Sequence, residues 1–355
     1  MQPLATQGFH HVTLVSSDAG RTLRFYRDVL GLGLVKRTVN FDDPGSYHLY
    51  FGDRTGAPGT ILTFFEWKTP RGNAGLGGVH HTALAVETDE ALLKWKRRLA
   101  DHGVSVYGPV DRRWFHSLYF SDPDGQVTEI ATRGPGYDLD EPAGALGRIE
   151  IIPGPENMRG ERDEEAIQSR IWPEPVPEIT ADMALGGIHH VSAITDDVER
   201  AHDFLAATLG LRLVKRTVNQ DDGNTRHWFW ANYRDGVVAP RSSFTLFGWP
   251  RGGRPARPGA GQTHHVAFRA ADDTELLAWR DHLLALNVQV SEVMDRDYFR
   301  SIYFRQPDGL LLEIATDGPG FATDEPAAAL GQLLCLPAWL EAERGTIESA
   351  LTPLS

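Results

Sequence analysis

Short apolar runs recur along the chain, and each opens on a pair of histidines: "HHVTLV" (10–15), "HHTALAV" (80–86), "HHVSAIT" (189–195) and "HHVAFRA" (264–270). Their length and composition predict strands, along which successive side chains point to opposite faces. A helical period follows. Leu23, Tyr26 and Leu30 trail the cap residue Asp18 and stop at Gly31, and the stripes Leu92/Trp95/Leu99 and Leu276/Trp279/Leu283 match each other. Three more strand-like runs close each unit, ended by turns such as Pro123-Asp124-Gly125 and Pro307-Asp308-Gly309. The predicted order is β-α-β-β-β, and the predicted class is α+β.

The unit is repeated twice over. "LGLVKRTVN" (32–40) returns as "LRLVKRTVN" (211–219), and "LYFSDPDGQVTEIATRGPGY" (118–137) as "IYFRQPDGLLLEIATDGPGF" (302–321). Residues 1–152 form a first half with modules near 8–70 and 78–137. Residues 183–355 form a second half with modules near 187–250 and 262–321 and a helical tail at 339–351. The polar, Pro-rich stretch 153–182 reads as a linker with a helix over 161–171.

Composition removes several classes. The net charge is −13 and no Lys/Arg run stands out, which excludes a nucleic acid or an anionic membrane surface as the expected partner. The single cysteine, Cys335, excludes an internal disulfide and thiolate-rich metal sites. No stretch has the length and apolarity of a bilayer span, and the N-terminus lacks the pattern of a secretory signal, so a cytoplasmic protein is expected. Homo-oligomerisation is left open.

Only one histidine of each pair can face a given side of a sheet. Residues in phase with the second histidine are small (Thr13, Ala83, Ser192, Ala267), whereas those in phase with the first are mostly apolar and suit packing under a helix. His11, His81, His190 and His265 are therefore expected on the inner face, with His10, His80, His189 and His264 as supporting residues. A lone strand histidine is more often a core residue with a satisfied hydrogen bond. Here, however, "VTEIAT" and "LLEIAT" each place a glutamate in an apolar final strand, Glu129 and Glu313, both 48 residues after an inner histidine. A buried carboxylate is costly unless paired or metal-bound. Four histidines and two glutamates divide into two sets of two His and one Glu, the facial triad with open coordination positions used for Fe(II) and O2. Mn(II) and Zn(II) are the next candidates. Glu66, opposite Gly248 in the repeat, reads as a strand-end surface residue. His48 and His227 repeat in "SYHLYF" and "TRHWFW" as candidate cleft groups, and Asn40 is a weaker one.

At these residues the chain resembles the vicinal oxygen chelate superfamily, which includes glyoxalase I and extradiol dioxygenases. It is most similar to the hydroquinone-type ring-cleaving dioxygenases, through "HHVTLVSSDAGRTLRFYRDVLGLGLVKRTVNFDD", "YHLYFGDRTGAPGT" and "DYFRSIYFRQPDGLLLEIATDGPGFATDEP". The resemblance spans nearly the whole chain. It implies βαβββ modules paired into cupped half-barrels and metal ligands at His11, His265 and Glu313. Tyr303 and Arg296 would stand beside the metal, and His10, Thr13 and His264 match the family's supporting positions. It further implies Fe(II), a small aromatic substrate and O2. Some relatives lack the middle ligands. Here His81, Glu129 and His190 are intact, with Tyr119 and Arg112 at matching places, and make a second candidate metal site. The residues alone leave module pairing open, whereas the resemblance implies first with fourth and second with third.

Two other readings stand beside the dioxygenase. A glyoxalase-like isomerase or lyase calls for a fourth ligand, where Thr63 and Thr245 stand instead. A non-catalytic metal- or small-molecule-binding protein would not require two complete triads. Trp114, Phe115, Tyr298 and Phe299 suggest an apolar pocket.

Overall fold

The structure, a computed structural model, describes residues 4–354. Residues 1–3 and 355, the outer edges of the two expected halves, lie outside that span. Module one comprises β1 (Phe9–Ser16), α1 (Ala19–Leu23), β2 (Gly33–Asn40), β3 (Asp43–Gly52) and β4 (Ile61–Glu66). Module two comprises β5 (Val79–Val86), α2 (Asp89–Asp101), β6 (Tyr107–Asp111), β7 (Phe115–Ser121) and β8 (Val127–Pro135). After α3 (Glu164–Ser169), module three has β9 (Ile188–Thr195), α4 (Val198–Leu209), β10 (Arg212–Asn219), β11 (Asp222–Ala231), a small hairpin β12 (Tyr233–Arg234) and β13 (Val237–Val238), and β14 (Ser243–Gly248). Module four has β15 (Gln262–Ala270), α5 (Asp273–Ala285), β16 (Met294–Asp295), β17 (Phe299–Arg305) and β18 (Leu311–Pro319), followed by α6 (Arg344–Ala350).

Each module helix starts at a side-chain cap. Asp18, Thr88, Asp197 and Asp272 accept from the backbone N–H three residues on, satisfying a donor that the first turn cannot pair internally. The first helix widens into a π-type turn over Arg24–Val29 before Gly31, at φ +71°, ends it. Glu66 ends β4 as expected, and its carboxylate also accepts from the backbone N–H of Ala19 at the start of α1 (3.1 Å).

The modules form two eight-stranded sheets, β16-β17-β18-β15-β1-β4-β3-β2 and β10-β11-β14-β9-β5-β8-β7-β6. Module one pairs with four and two with three, so each sheet takes one module from each sequence half. The main core lies between helices and sheets, and Val12, Leu14, Trp95, Trp279 and Phe268 are all at or near zero exposure there. Ala83 and Ala267, in phase with the second histidines, fall in separate small clusters on the concave faces with Phe115 and Phe299.

Segment 153–182 is tied to α2 over residues 167–177 and again just past its end, at Met183. The Lys96 ammonium donates to the carbonyls of Ile167, Gln168 and Arg170, Arg98 to those of Val176 and Pro177, and the Trp95 indole to that of Met183. Its helix is shorter than the expected 161–171.

Candidate functional site: two histidine–carboxylate centres

Three neighbouring strands build each centre. β1 runs antiparallel to β15 with Thr13 opposite His265, and β15 runs parallel to β18 with Ala267 beside Glu313. The Nε2 atoms of His11 and His265 stand 3.2 Å apart, and Glu313 Oε2 lies 2.8 Å from His265 Nε2 and 3.4 Å from His11 Nε2. In the other sheet β5, β9 and β8 repeat the arrangement. His81 and His190 Nε2 are 3.1 Å apart, and Glu129 Oε2 is 2.9 Å from His81 Nε2 and 3.4 Å from His190 Nε2. All six side chains are buried.

The outer histidines fix the inner ones. His10 Nδ1 lies 2.8 Å from His11 Nδ1, and its ring also bonds to the backbone carbonyl of Thr316. Burial, with His11 next, holds the His10 pKa down to about 3, so His10 is neutral. With its one N–H given to Thr316, His10 accepts from Nδ1–H of His11, which turns the lone pair of His11 Nε2 toward Glu313. His189 repeats the arrangement between Thr132 and His190. The His80–His81 and His264–His265 contacts are 2.7 Å each. Three acceptor atoms thus converge in each centre, and both carboxylate oxygens of Glu313 and Oε2 of Glu129 are buried without a hydrogen-bond partner. Such a cluster demands a cation. Burial alone would raise the two carboxyls, yet the adjacent histidines hold Glu313 and Glu129 well below the usual range. Two imidazoles and a carboxylate are equally the donor set of a divalent transition metal, so the residues fit one.

Beside each triad stands a tyrosine–arginine pair. Tyr303 lies directly across from Glu313 and Tyr119 across from Glu129. The Tyr303 hydroxyl accepts from Arg296 Nε (3.2 Å) and Ser301 Oγ (3.1 Å), which leaves its own hydrogen for a ligand. Tyr119 accepts from Arg112 Nε at 2.9 Å. Burial, reinforced by the facing glutamates, raises both phenols above their ordinary range, so each remains a donor. The acidic neighbour of Arg296 is Asp42, 3.7 Å from its Nη1.

Thr13 bonds to Thr63 (2.9 Å), Thr63 to His48 Nε2 (2.9 Å), and His48 Nδ1 to the Tyr50 hydroxyl (3.0 Å). The second centre has Ser192, Thr245 and His227 in this row, with Phe229 in place of Tyr50. Thr63 and Thr245, at the fourth-ligand place of a glyoxalase-like site, are thus engaged with their neighbours. Asn40 is spent on a turn, accepting from the Asp42 N–H. Tyr298 gives its hydroxyl to Asp324 and packs with Ala267 and Phe299, and its counterpart Trp114 likewise gives its indole N–H to Asp140 while also lining a cavity.

That cavity, about 680 Å³, includes His81 and His190 of the second centre in its wall and is lined also by Trp114, Phe115, Phe229, Phe247, Gln220 and Arg162. Arg162, Gln220 and Asp221 were not legible as site residues. Arg162 lies in the segment between the halves, and the only sequence cue for the others is "NQDD" set against "NFDD". A third acidic group, Asp324, Glu325 and Cys335, already holds a cation: the Lys36 ammonium sits 2.5 Å from Asp324 and 2.6 Å from Glu325.

Comparison with known proteins agrees with this geometry. Bacillus subtilis (strain 168) MhqO, provisionally named a ring-cleaving dioxygenase, is 35% identical over 350 residues, covering 98% of this chain and 96% of that one. The chlorohydroquinone/hydroquinone 1,2-dioxygenase of Sphingobium indicum is 28% identical, covering 93% and 91%. A crystal structure of a provisionally assigned dioxygenase from Bacillus subtilis subsp. subtilis str. 168 superposes with a TM-score of 0.78 at 33% identity, covering 99% of both chains. The family model for the Glyoxalase/Bleomycin resistance protein/Dioxygenase superfamily matches residues 8–130 and 187–314, and the chain belongs to that superfamily.

Proposed function

We propose that the chain is an Fe(II)-dependent, extradiol-type dioxygenase that cleaves the ring of a hydroquinone- or catechol-type substrate, with His11, His265 and Glu313 as the iron ligands. The observation that carries this reading is the buried two-histidine, one-carboxylate cluster facing a tyrosine–arginine pair, in a chain whose relatives bear ring-cleaving dioxygenase names. In the overall reaction one ring C–C bond breaks, two C–O bonds form, and both atoms of O2 remain in the product.

Bound iron would acidify a ring hydroxyl and bring O2 and ring together at attack distance. The protein supplies the rest. Arg296 has its Nη groups close to free, with Nη1 3.7 Å from Asp42 and Nη2 3.6 Å from the Met294 sulfur, and it takes the second ring oxygen. Tyr303 donates its phenol proton toward the reacting oxygens. His10 locks His11, and His264 locks His265 while packing against Phe65 and Trp67. Thr13, held by Thr63, keeps the floor of the cup narrow and polar. Phe299, with its ring 5.2 Å from His11, walls one side and excludes water.

Oxygen uptake by protein reconstituted anaerobically with Fe(II), across a panel of hydroquinones and catechols, tests this. Substrate-dependent uptake with a ring-opened product is expected. No uptake with iron bound would turn the reading to the isomerase, lyase or binding alternatives.

A further inference from the structure

The two centres share a ligand triangle but not a mouth. At the first, Phe41 occupies the place held by Gln220 at the second, and Trp339 of the C-terminal segment packs edge-on against Phe41 at 5.6 Å. At the second, the segment before α3 reaches over the cavity. Arg162 donates to Asp221 (2.7 Å) and to the Tyr107 hydroxyl (2.5 Å). Arg112 in turn donates to Gln220 and Asp221, both at 3.0 Å, and to Tyr119 beside the triad. A continuous polar row therefore runs from the covering segment to the second triad. Beside the triad the cavity wall is aromatic, with Phe115 5.3 Å from the His190 ring and Phe247 6.1 Å from the His81 ring.

We propose that His81, His190 and Glu129 form a second, independently loaded metal centre with its own substrate, a ring diol carrying an uncharged polar substituent that lies along Gln220, Asp221 and Arg162. The first centre, where Phe41 stands in the place of Gln220, takes the apolar-substituted ring. The substrate part rests on the dioxygenase reading, whereas the metal part stands on the acceptor cluster alone. Three converging acceptors with an orphaned carboxylate oxygen are as complete here as at the first centre. The Ser117 hydroxyl, bonded to the other oxygen of Glu129, presets the carboxylate's direction.

Anaerobic Fe(II) titration of the wild-type protein, followed by steady-state turnover of ethylhydroquinone and hydroxymethylhydroquinone, tests both parts. Two irons per wild-type chain are expected, and one in each of Glu129→Gln and Glu313→Gln. Gln220→Phe should lower kcat/KM for the hydroxymethyl substrate about tenfold relative to the ethyl one, and Phe41→Gln should shift the ratio the other way, with two irons retained in both. One iron per wild-type chain, kept in Glu129→Gln, would overturn the second centre and leave the first intact. Two irons with both substrates lost in Glu313→Gln and neither in Glu129→Gln would make the second centre non-catalytic and overturn its substrate. Two irons with no cleavage of either ring would sink the dioxygenase reading while the metal centre stood.

Discussion

The histidine–carboxylate triangles of the two centres agree to about 0.1 Å in every corresponding distance, yet the arginines beside them live differently. Arg296 is nearly free at its Nη groups, whereas Arg112 is gripped by Gln220 and Asp221. Burial opposes the charge on both, and their tyrosine partners and acidic neighbours more than offset it. Strand register sets the two clusters, and register cannot drift without moving every side chain of a strand to the wrong face. Residues outside the paired strands, such as Arg162 and Trp339, set the surroundings, and these are free to diverge after duplication. One chain thus holds two matching clusters in different surroundings.

The strongest way to break this comparison is to remove one carboxylate at a time. Glu313→Gln should lose iron at the first centre by more than the roughly 100-fold that loss of a supporting residue costs, and should abolish its turnover; metal analysis after dialysis reads the first effect and oxygen uptake the second. Full iron occupancy in that variant would sink the ligand assignment.

Next in size is the phenol. Tyr303→Phe should lower kcat about 100-fold with iron content unchanged, because only a proton donor is lost. Burial keeps Tyr303 protonated across the working range, so the wild-type pH profile should show no limb from its ionisation.

Much of this was legible in the sequence. The His-His pairs and the two EIAT strands point to the modules, the inner face and the six side chains of the two clusters because a strand's period of two leaves little choice. Pairing across the halves is different. It depends on which first strands meet edge to edge, and nothing local in "HHVTLV" distinguishes "HHVAFRA" from "HHTALAV" as its neighbour. Arg162 escaped for a related reason: its contact with Asp221 joins the segment between the halves to module three across 59 residues, and no motif surrounds it.

A smaller effect tests the supporting shell. His10→Ala should weaken iron binding at the first centre roughly 10- to 100-fold, and His189→Ala should do the same at the second, each without touching the other site. Equal weakening of both centres by either variant would contradict their independence.

The smallest contrast is the hydroxyl that only one centre has. Tyr50→Phe removes the bond to His48 and should cost about 1 kcal/mol in denaturant unfolding. Phe229→Tyr offers the same bond to His227 and should recover part of that amount if the ring geometry, 4.3 Å between centroids, admits the hydroxyl.

The crossing of the modules also sets an order of birth. His81 and His190 lie 109 residues apart, His11 and His265 254. On a chain emerging from the ribosome, the strands of the middle modules are all present before Gln262 is made, so the inner sheet can close early on shorter loops. The opening module must wait, with one edge of β1 unpaired, until nearly the whole chain has appeared. An exposed strand edge held open for that long is a hazard for misassociation. Aggregation during synthesis, and any need for a chaperone, should therefore centre on the first seventy residues.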